Sequence, residues 1–184
     1  GAAFCRSIYI NEKGLWTGIT GIEKGEDGII DDFLPKIYTE QRIQTPSVVV
    51  NREVYESLGG FDNRLSFVED WEMWIRIACF YPYAFTPEVL AEYRSHSTNT
   101  SSISLRNGIL FKETRELFCI VDKYIGGKLK SKYSLSRNRK QAFYIVTLYR
   151  QIKTNLNTRQ KLFFLKRIME LDFRFISIIR FFRN

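Results

Sequence analysis

Residues 58–102 read LGGFDNRLSFVEDWEMWIRIACFYPYAFTPEVLAEYRSHSTNTSS. A Gly-Gly-Phe-Asp turn opens the stretch, and Leu65, Phe67 and Val68 anchor the segment after it. Glu69 and Asp70 then stand where a helix begins. Trp71, Trp74, Ile75 and Ala78 fall at i, i+3, i+4 and i+7, the spacing of one buried helical stripe, with Glu72, Met73 and Arg76 off it. Pro82 stops the helix, which is expected over 69–80. Residues 88–94 alternate as a strand, with Val89, Ala91 and Tyr93 on one face. The strand ends in Tyr93-Arg94-Ser95-His96. Residues 95–104 are rich in Ser, Thr and Asn and read as a polar loop that contains the sequon Asn99-Thr100-Ser101.

Upstream, residues 2–10 are apolar and β-prone and read as a strand, closed by a turn at 12–14. Glycines at 18, 21, 25 and 28 are too many for a helix interior, so 15–28 reads as irregular loop or short strands. These glycines lack the order of a phosphate-cradling loop. Asp31 and Asp32 precede a short helix near 31–39, where aspartate caps and Pro35 fits the first turn. Adjacent carboxylates project differently, so capping is favoured over a metal pair. Ser47 opens a strand ending in three valines, a continuous run expected to be buried on both faces. Asn51 caps a helix over 52–58, with Val54 and Leu58 on one face, and Gly59 takes the C′ position.

The charge is divided unevenly along the chain. Residues 1–125 carry 13 Lys and Arg against 18 Asp and Glu, net −5; residues 126–184 carry 15 against 2, net +13. The basic character therefore belongs to the tail, where it would attract phosphates of lipids, nucleic acids or sugar nucleotides. Three cysteines, Cys5, Cys79 and Cys119, have no framework spacing, so reduced, buried thiols and a cytosolic setting are expected. No apolar stretch is long enough to span a membrane, and no signal peptide is present. The chain begins mid-pattern at Gly1 without an initiator Met, as a piece of something longer would.

From Leu105 onward the pattern is helical. One helix over 109–125 is expected to stop at Gly126-Gly127, the likeliest domain boundary. A basic connector comes next, then helices over 138–154 and 158–182. Three readings compete for 128–184: a helical extension packing on a core or partner, an interfacial membrane helix near 161–183, and nucleic-acid binding. No nucleic-acid motif accompanies the charge, so the third ranks last.

Taken bare, Glu69 and Asp70 suit helix capping, because free N–H groups and the macrodipole favour carboxylates there. They also suit general-base chemistry if Phe61, Trp71 and Trp74 wall a site for a sugar ring or flat base. His96, the one histidine, could hydrogen-bond in a loop or, beside Arg94, bind phosphate or complete a metal shell. The sequence contains no complete metal cluster around it.

The stretch resembles the C-terminal half of the catalytic domain of family 2 glycosyltransferases with the GT-A fold. The matching pieces are Thr45-Pro46-Ser47-Val48-Val49-Val50, Leu58-Gly59-Gly60-Phe61-Asp62, Glu69-Asp70-Trp71, Trp74-Ile75-Arg76-Ile77-Ala78 and Tyr93-Arg94-Ser95-His96. The resemblance covers 45–102, more weakly 1–44, and not 106–184. It implies that Asp70 is the catalytic base, deprotonating an acceptor hydroxyl that attacks a sugar nucleotide with inversion. Glu69 and Trp71 would sit beside it, and Gly59, Gly60, Phe61 and Asp62 would line the acceptor and donor-sugar side. Arg94 and His96 would face the diphosphate and a divalent metal, Mn or Mg. The family holds that metal mainly through an Asp-x-Asp motif, which this sequence lacks, as it lacks the Gln-x-x-Arg-Trp of processive enzymes.

The expected fold class is therefore α/β: a partial GT-A, Rossmann-like nucleotide-diphospho-sugar transferase sheet at 1–105, then a helical basic extension at 106–184. The expected partners are a nucleotide-sugar donor, a sugar or lipid-linked acceptor and an anionic membrane surface, with no nucleic acid. The resemblance places a non-processive enzyme in bacterial surface polysaccharide or glycolipid synthesis, cytoplasmic or peripheral at the inner membrane face, its donor-binding half missing from this chain. The competing expectation is a non-catalytic interaction module with a basic tail.

Overall fold

A computed structural model describes residues 1–96, 109–152 and 158–171. The chain is mixed α/β and divides into two compact units, 1–127 and 128–184. The first unit is built on β1 (Ala2–Ile10). One edge of β1 pairs parallel with β5 (Tyr83–Arg94), and β5 in turn pairs antiparallel with β3 (Gly28–Ile29). The other edge is shared by two short strands. β2 (Trp16–Ile19) takes the C-terminal half and β4 (Val48–Val50) the N-terminal half, both antiparallel. Along β5 the register steps from Phe85 to Val89 while β1 steps only from Phe4 to Arg6. The extra residues include Pro87, which has no N–H for the ladder and is accommodated in a bulge.

Among the described residues of this unit the sheet is accompanied by α-helices α1 (Phe33–Thr39), α2 (Arg52–Leu58), α3 (Glu69–Phe80) and α4 (Ile109–Val121). Aromatic rings join sheet to helices. Phe4 lies within 5.0–6.0 Å of the rings of Phe33, Tyr83 and Phe85, and Phe118 meets Tyr38 and Trp71 edge-on. Such edge-to-face pairs add to the area they bury. Helix α2 runs as its cap chemistry dictates. Asn51 Oδ1 accepts from the Glu53 N–H at 3.1 Å, and Gly59 ends the helix at φ 81°, where a side chain would be strained.

Several expectations are corrected. Helix α3 is not a one-stripe helix: Glu72 and Met73, placed off the stripe by spacing, are buried as fully as Trp74 and Ile75. It has neighbours on more than one side, since α1, α2 and α4 all contact it. The valine run of β4 is not buried on both faces, because it covers only Ala2–Phe4 of β1 and leaves Val49 71% exposed. Asp32 makes no side-chain cap; it sits at φ 50° in the left-handed region, which a short polar residue tolerates. The final strand starts earlier than expected, at Tyr83. Cys119 is exposed rather than buried, although all three cysteines are free thiols. Burial pushes the Cys79 thiol up to about 11, with Glu72 nearby adding to the effect.

Helix α4 belongs to the first unit and contacts α3. The supposed basic connector is helix: α5 runs unbroken over Gly127–Ile152, beginning right after Gly126 at φ 84°. Lys, Arg and Leu, all good helix formers, make up ten of its 26 residues, and no Pro or interior Gly breaks it. Helix α6 spans Thr158–Leu171. The sequon at 99–101 and the end of the expected last helix, 172–182, lie outside the described residues. No helix among the described residues is long and apolar enough to cross a membrane.

Trp74 tests this core most simply. It is almost wholly buried and packs edge-on against Phe61 at 6.1 Å. Trp74→Ala should lower unfolding free energy by about 3–5 kcal/mol, read from urea denaturation, as large-to-small aromatic changes in a core do.

Candidate functional site

The first turn of α3 is crowded with negative charge. Glu69, Asp70 and Glu72 all fall in it, and its N-cap residue, Val68, has no polar side chain to offer the free N–H groups. A carboxylate from another helix serves the backbone just ahead of it. Glu113 of α4 is buried, and its Oε2 accepts from the Ser66 N–H at 2.9 Å and the Phe67 N–H at 2.7 Å. Its Oε1 accepts from the Ser66 hydroxyl. Burial alone would raise the Glu113 carboxyl, but the bonds from residues 66–68 outweigh it and hold the carboxyl below its ordinary value. The loop that delivers Glu69 and Asp70 is thereby tied to α4.

Asp70 is half-buried and sits against residues 41–45, the connection after α1. Its Oδ2 accepts from Gln41 Nε2 at 3.2 Å and from Thr45 Oγ1 at 3.1 Å. Its Oδ1 accepts from the Trp71 N–H at 2.6 Å. Desolvation nonetheless wins: burial, with the Glu69 charge adding to it, pushes the Asp70 carboxyl up to about 6. A carboxylate offers about four acceptor positions, so three donors leave room for one more, on Oδ1. Beside it, Glu69 Oε2 is buried with no hydrogen-bond partner. An unsatisfied buried carboxylate oxygen is uncommon in a native fold and calls for an explanation.

Both oxygens of the third carboxylate of this turn have a partner. Glu72 Oε2 pairs with Arg76 Nη2 at 2.8 Å, and its Oε1 accepts from the Tyr124 hydroxyl at 2.9 Å. Arg76 reaches on to the Gly-Gly turn. Its Nη1 donates to the Leu58 carbonyl at 2.7 Å and its Nη2 to the Gly60 carbonyl at 2.8 Å. The planar fork of one guanidinium thus sets the shape of that turn.

The other expected site residues fall into separate groups. Trp71 turns into the core, donating Nε1–H to the Ile37 carbonyl at 2.7 Å, so it walls no groove. Phe61 remains on the surface, leaning on Trp74 and Tyr55. At Gly60 a Cβ would meet nothing within 4 Å, which leaves the backbone approachable; Gly59 serves the helix end. Asp62 is occupied by Arg64, whose hydrogen bonds hold its carboxyl at about 2. Arg94 donates to the Asn11 carbonyl at 3.1 Å, and His96 lies half-buried just past the end of β5. Among the described residues no three His, Cys, Asp or Glu are grouped to hold a metal. An open hollow of about 510 Å³ is lined by Val50, Arg52, Tyr55 and Glu56, on the α2 side and not at Asp70.

Gln41, Thr45, Glu113 and Tyr124 were not singled out from the sequence as partners of this turn. Only Glu113 left a signal: it sits between Leu110 and Leu117 at helical spacing, an acid inside an apolar stripe.

No protein-family model matches the chain, and no curated protein or solved structure matches it either.

Two carboxylates of this site should respond to pH with opposite sign. The Asp70 carboxyl is raised in the folded state, so its stabilising contribution is present below its unfolded value near 3.8 and is lost as pH rises through about 6. Asp70→Asn cannot titrate. Relative to wild type it should gain up to about 3 kcal/mol between pH 4 and pH 7 in thermal or urea unfolding. Glu113 is lowered, so its contribution is complete above the ordinary carboxylate range and is lost as pH falls through the lowered value. Glu113→Ala orphans two backbone N–H groups and should cost about 3 kcal/mol at neutral pH, with the deficit shrinking in acid.

Proposed function

We propose that the chain is the acceptor-side part of an inverting, non-processive glycosyltransferase of the GT-A type, with Asp70 as its catalytic base. The carrying observation is the state of Asp70. It is a half-buried carboxylate whose proton affinity is raised to about 6, with Oδ1 accepting one hydrogen bond, from the Trp71 N–H. A base of that strength is ionised at neutral pH and still takes a proton in a transition state, which is what general-base catalysis needs. Capping alone would lower a carboxyl at a helix start, as backbone N–H groups do for Glu113, and would leave no reason for the unpartnered Glu69 oxygen beside it.

In this reading Asp70 Oδ1 accepts the proton of an acceptor hydroxyl. The oxygen attacks the anomeric carbon of a nucleotide-diphospho-sugar, the glycosidic C–O bond to the diphosphate breaks, and the nucleoside diphosphate leaves. Gln41 and Thr45 hold the other oxygen and so fix the plane of the carboxylate. Among the described residues no three His, Cys, Asp or Glu are grouped as ligands for the divalent metal of the GT-A type. The rival reading is an interaction module in which Asp70 only braces residues 41–45 against α3.

The test uses the protein as its complete reading frame encodes it, with UDP- and GDP-linked sugars and nucleoside-diphosphate release as the readout. Asp70→Asn should fold normally and lose activity by about a hundredfold or more. In wild type, kcat/KM should rise tenfold per pH unit up to a break near 6 and then level, because the ionised carboxylate is the active form. Full turnover by a folded Asp70→Asn protein would remove Asp70 from the chemistry and leave the interaction module.

A further inference from the structure

The second unit carries a surface that the reading of Asp70 does not use. Helix α5 holds seven Lys and Arg and no Asp or Glu; α6 holds four against one. Lys132, Leu135, Arg139 and Phe143 of α5 are spaced three, four and four residues apart, so they share one face. All four are exposed, Leu135 at 46% and Phe143 at 53%. Helix α6 repeats the pattern with Arg159, Leu162, Lys166 and Met169, again exposed, Leu162 at 61%. Cation and apolar side chain alternate on both helices. The buried apolar residues of these helices are different ones: Ala142, Ile145 and Val146 on α5, Phe164 and Ile168 on α6. The exposed apolar groups therefore stay at the surface after the unit has folded.

We propose that this unit lies on an anionic lipid surface through those two helix faces. Long Lys and Arg chains place their charge at lipid phosphates while Leu, Phe and Met enter the boundary between headgroups and acyl chains. Among the described residues neither helix of the unit is long and apolar enough to cross a membrane. Charge decides against face-to-face pairing of two such units, because two units of net +13 repel each other. It does not separate lipid from nucleic acid; the apolar residues do. Leu135, Leu162 and Met169 gain nothing from a phosphodiester backbone, whereas a bilayer rewards them.

The experiment is sedimentation of the whole chain with phosphatidylcholine vesicles, with and without phosphatidylglycerol, across a salt series. The chain should pellet with the anionic vesicles, stay in solution with the neutral ones, and bind less as salt rises. The Lys132→Glu, Arg139→Glu double variant should lower partitioning about tenfold or more. Leu162→Gln, at an exposed position that the fold tolerates, should lower it about fivefold. Circular dichroism checks that both variants keep their helices. Equal binding to neutral and anionic vesicles, no binding to either, or unchanged binding by the charge-reversed variant would overturn the proposal. So would tight binding to a duplex DNA oligomer by a chain that ignores anionic vesicles.

Discussion

A buried helix with an acidic first turn has to find its partners inside the protein. Helix α3 is that case: Trp71, Glu72, Met73, Trp74, Ile75 and Ile77 are all buried, and Glu69, Asp70 and Glu72 crowd its start. Burying unpaired charge is expensive, so neighbouring segments must bring donors or surrender the charge. Glu72 draws Arg76 and Tyr124, which locks the segment after α4 and the Gly59-Gly60 turn to the same helix. Glu113 satisfies the backbone ahead of the turn. Asp70 draws Gln41 and Thr45, which fixes the connection that leads into β4. Four pieces of chain far apart in sequence are thus held by one helix end.

The carboxylates around that end are sorted by environment. Asp62, gripped by Arg64, is held at about 2. Glu113 is buried but fully supplied with donors and is lowered as well. Asp70 receives three hydrogen bonds, none from a cation, and Glu69 lies beside it, so its burial is not compensated. The same side-chain chemistry therefore yields two anions committed to structure and one group poised near neutrality. Such divergence among carboxylates is found at sites that move protons and in ion-pair networks alike.

Much of the local structure was legible because it rests on short-range rules. Asn51 and Gly59 delimit α2, and Pro82 with the Trp71, Trp74 and Ile75 spacing delimits α3, to the residue. What spacing could not supply was the number of neighbours. A periodic stripe announces one buried face; Glu72 and Met73 are buried because other helices cover a second side. The same blindness hid Val49, whose exposure depends on how much of β1 the strand can cover, and α5, whose charges looked like a connector. At the site, Asp70 and Glu69 stood out through the apolar run before them. Gln41 and Thr45 did not, since a hydrogen bond across 25 or 29 residues leaves no periodic trace. Trp71 misled, because an aromatic beside a carboxylate fits a sugar site and a core equally well.

Everything assigned to this site depends on the carboxyl of Asp70 keeping its proton to a higher pH than an ordinary aspartate. Carbon-13 NMR of the aspartate side-chain carboxyls, tracked through a pH titration and assigned with Asp70→Asn, reads that quantity directly. The account predicts a midpoint for Asp70 near 6. A midpoint at or below the ordinary value of about 3.9 would contradict it, for Asp70 would then be a structural anion like its neighbour Glu113.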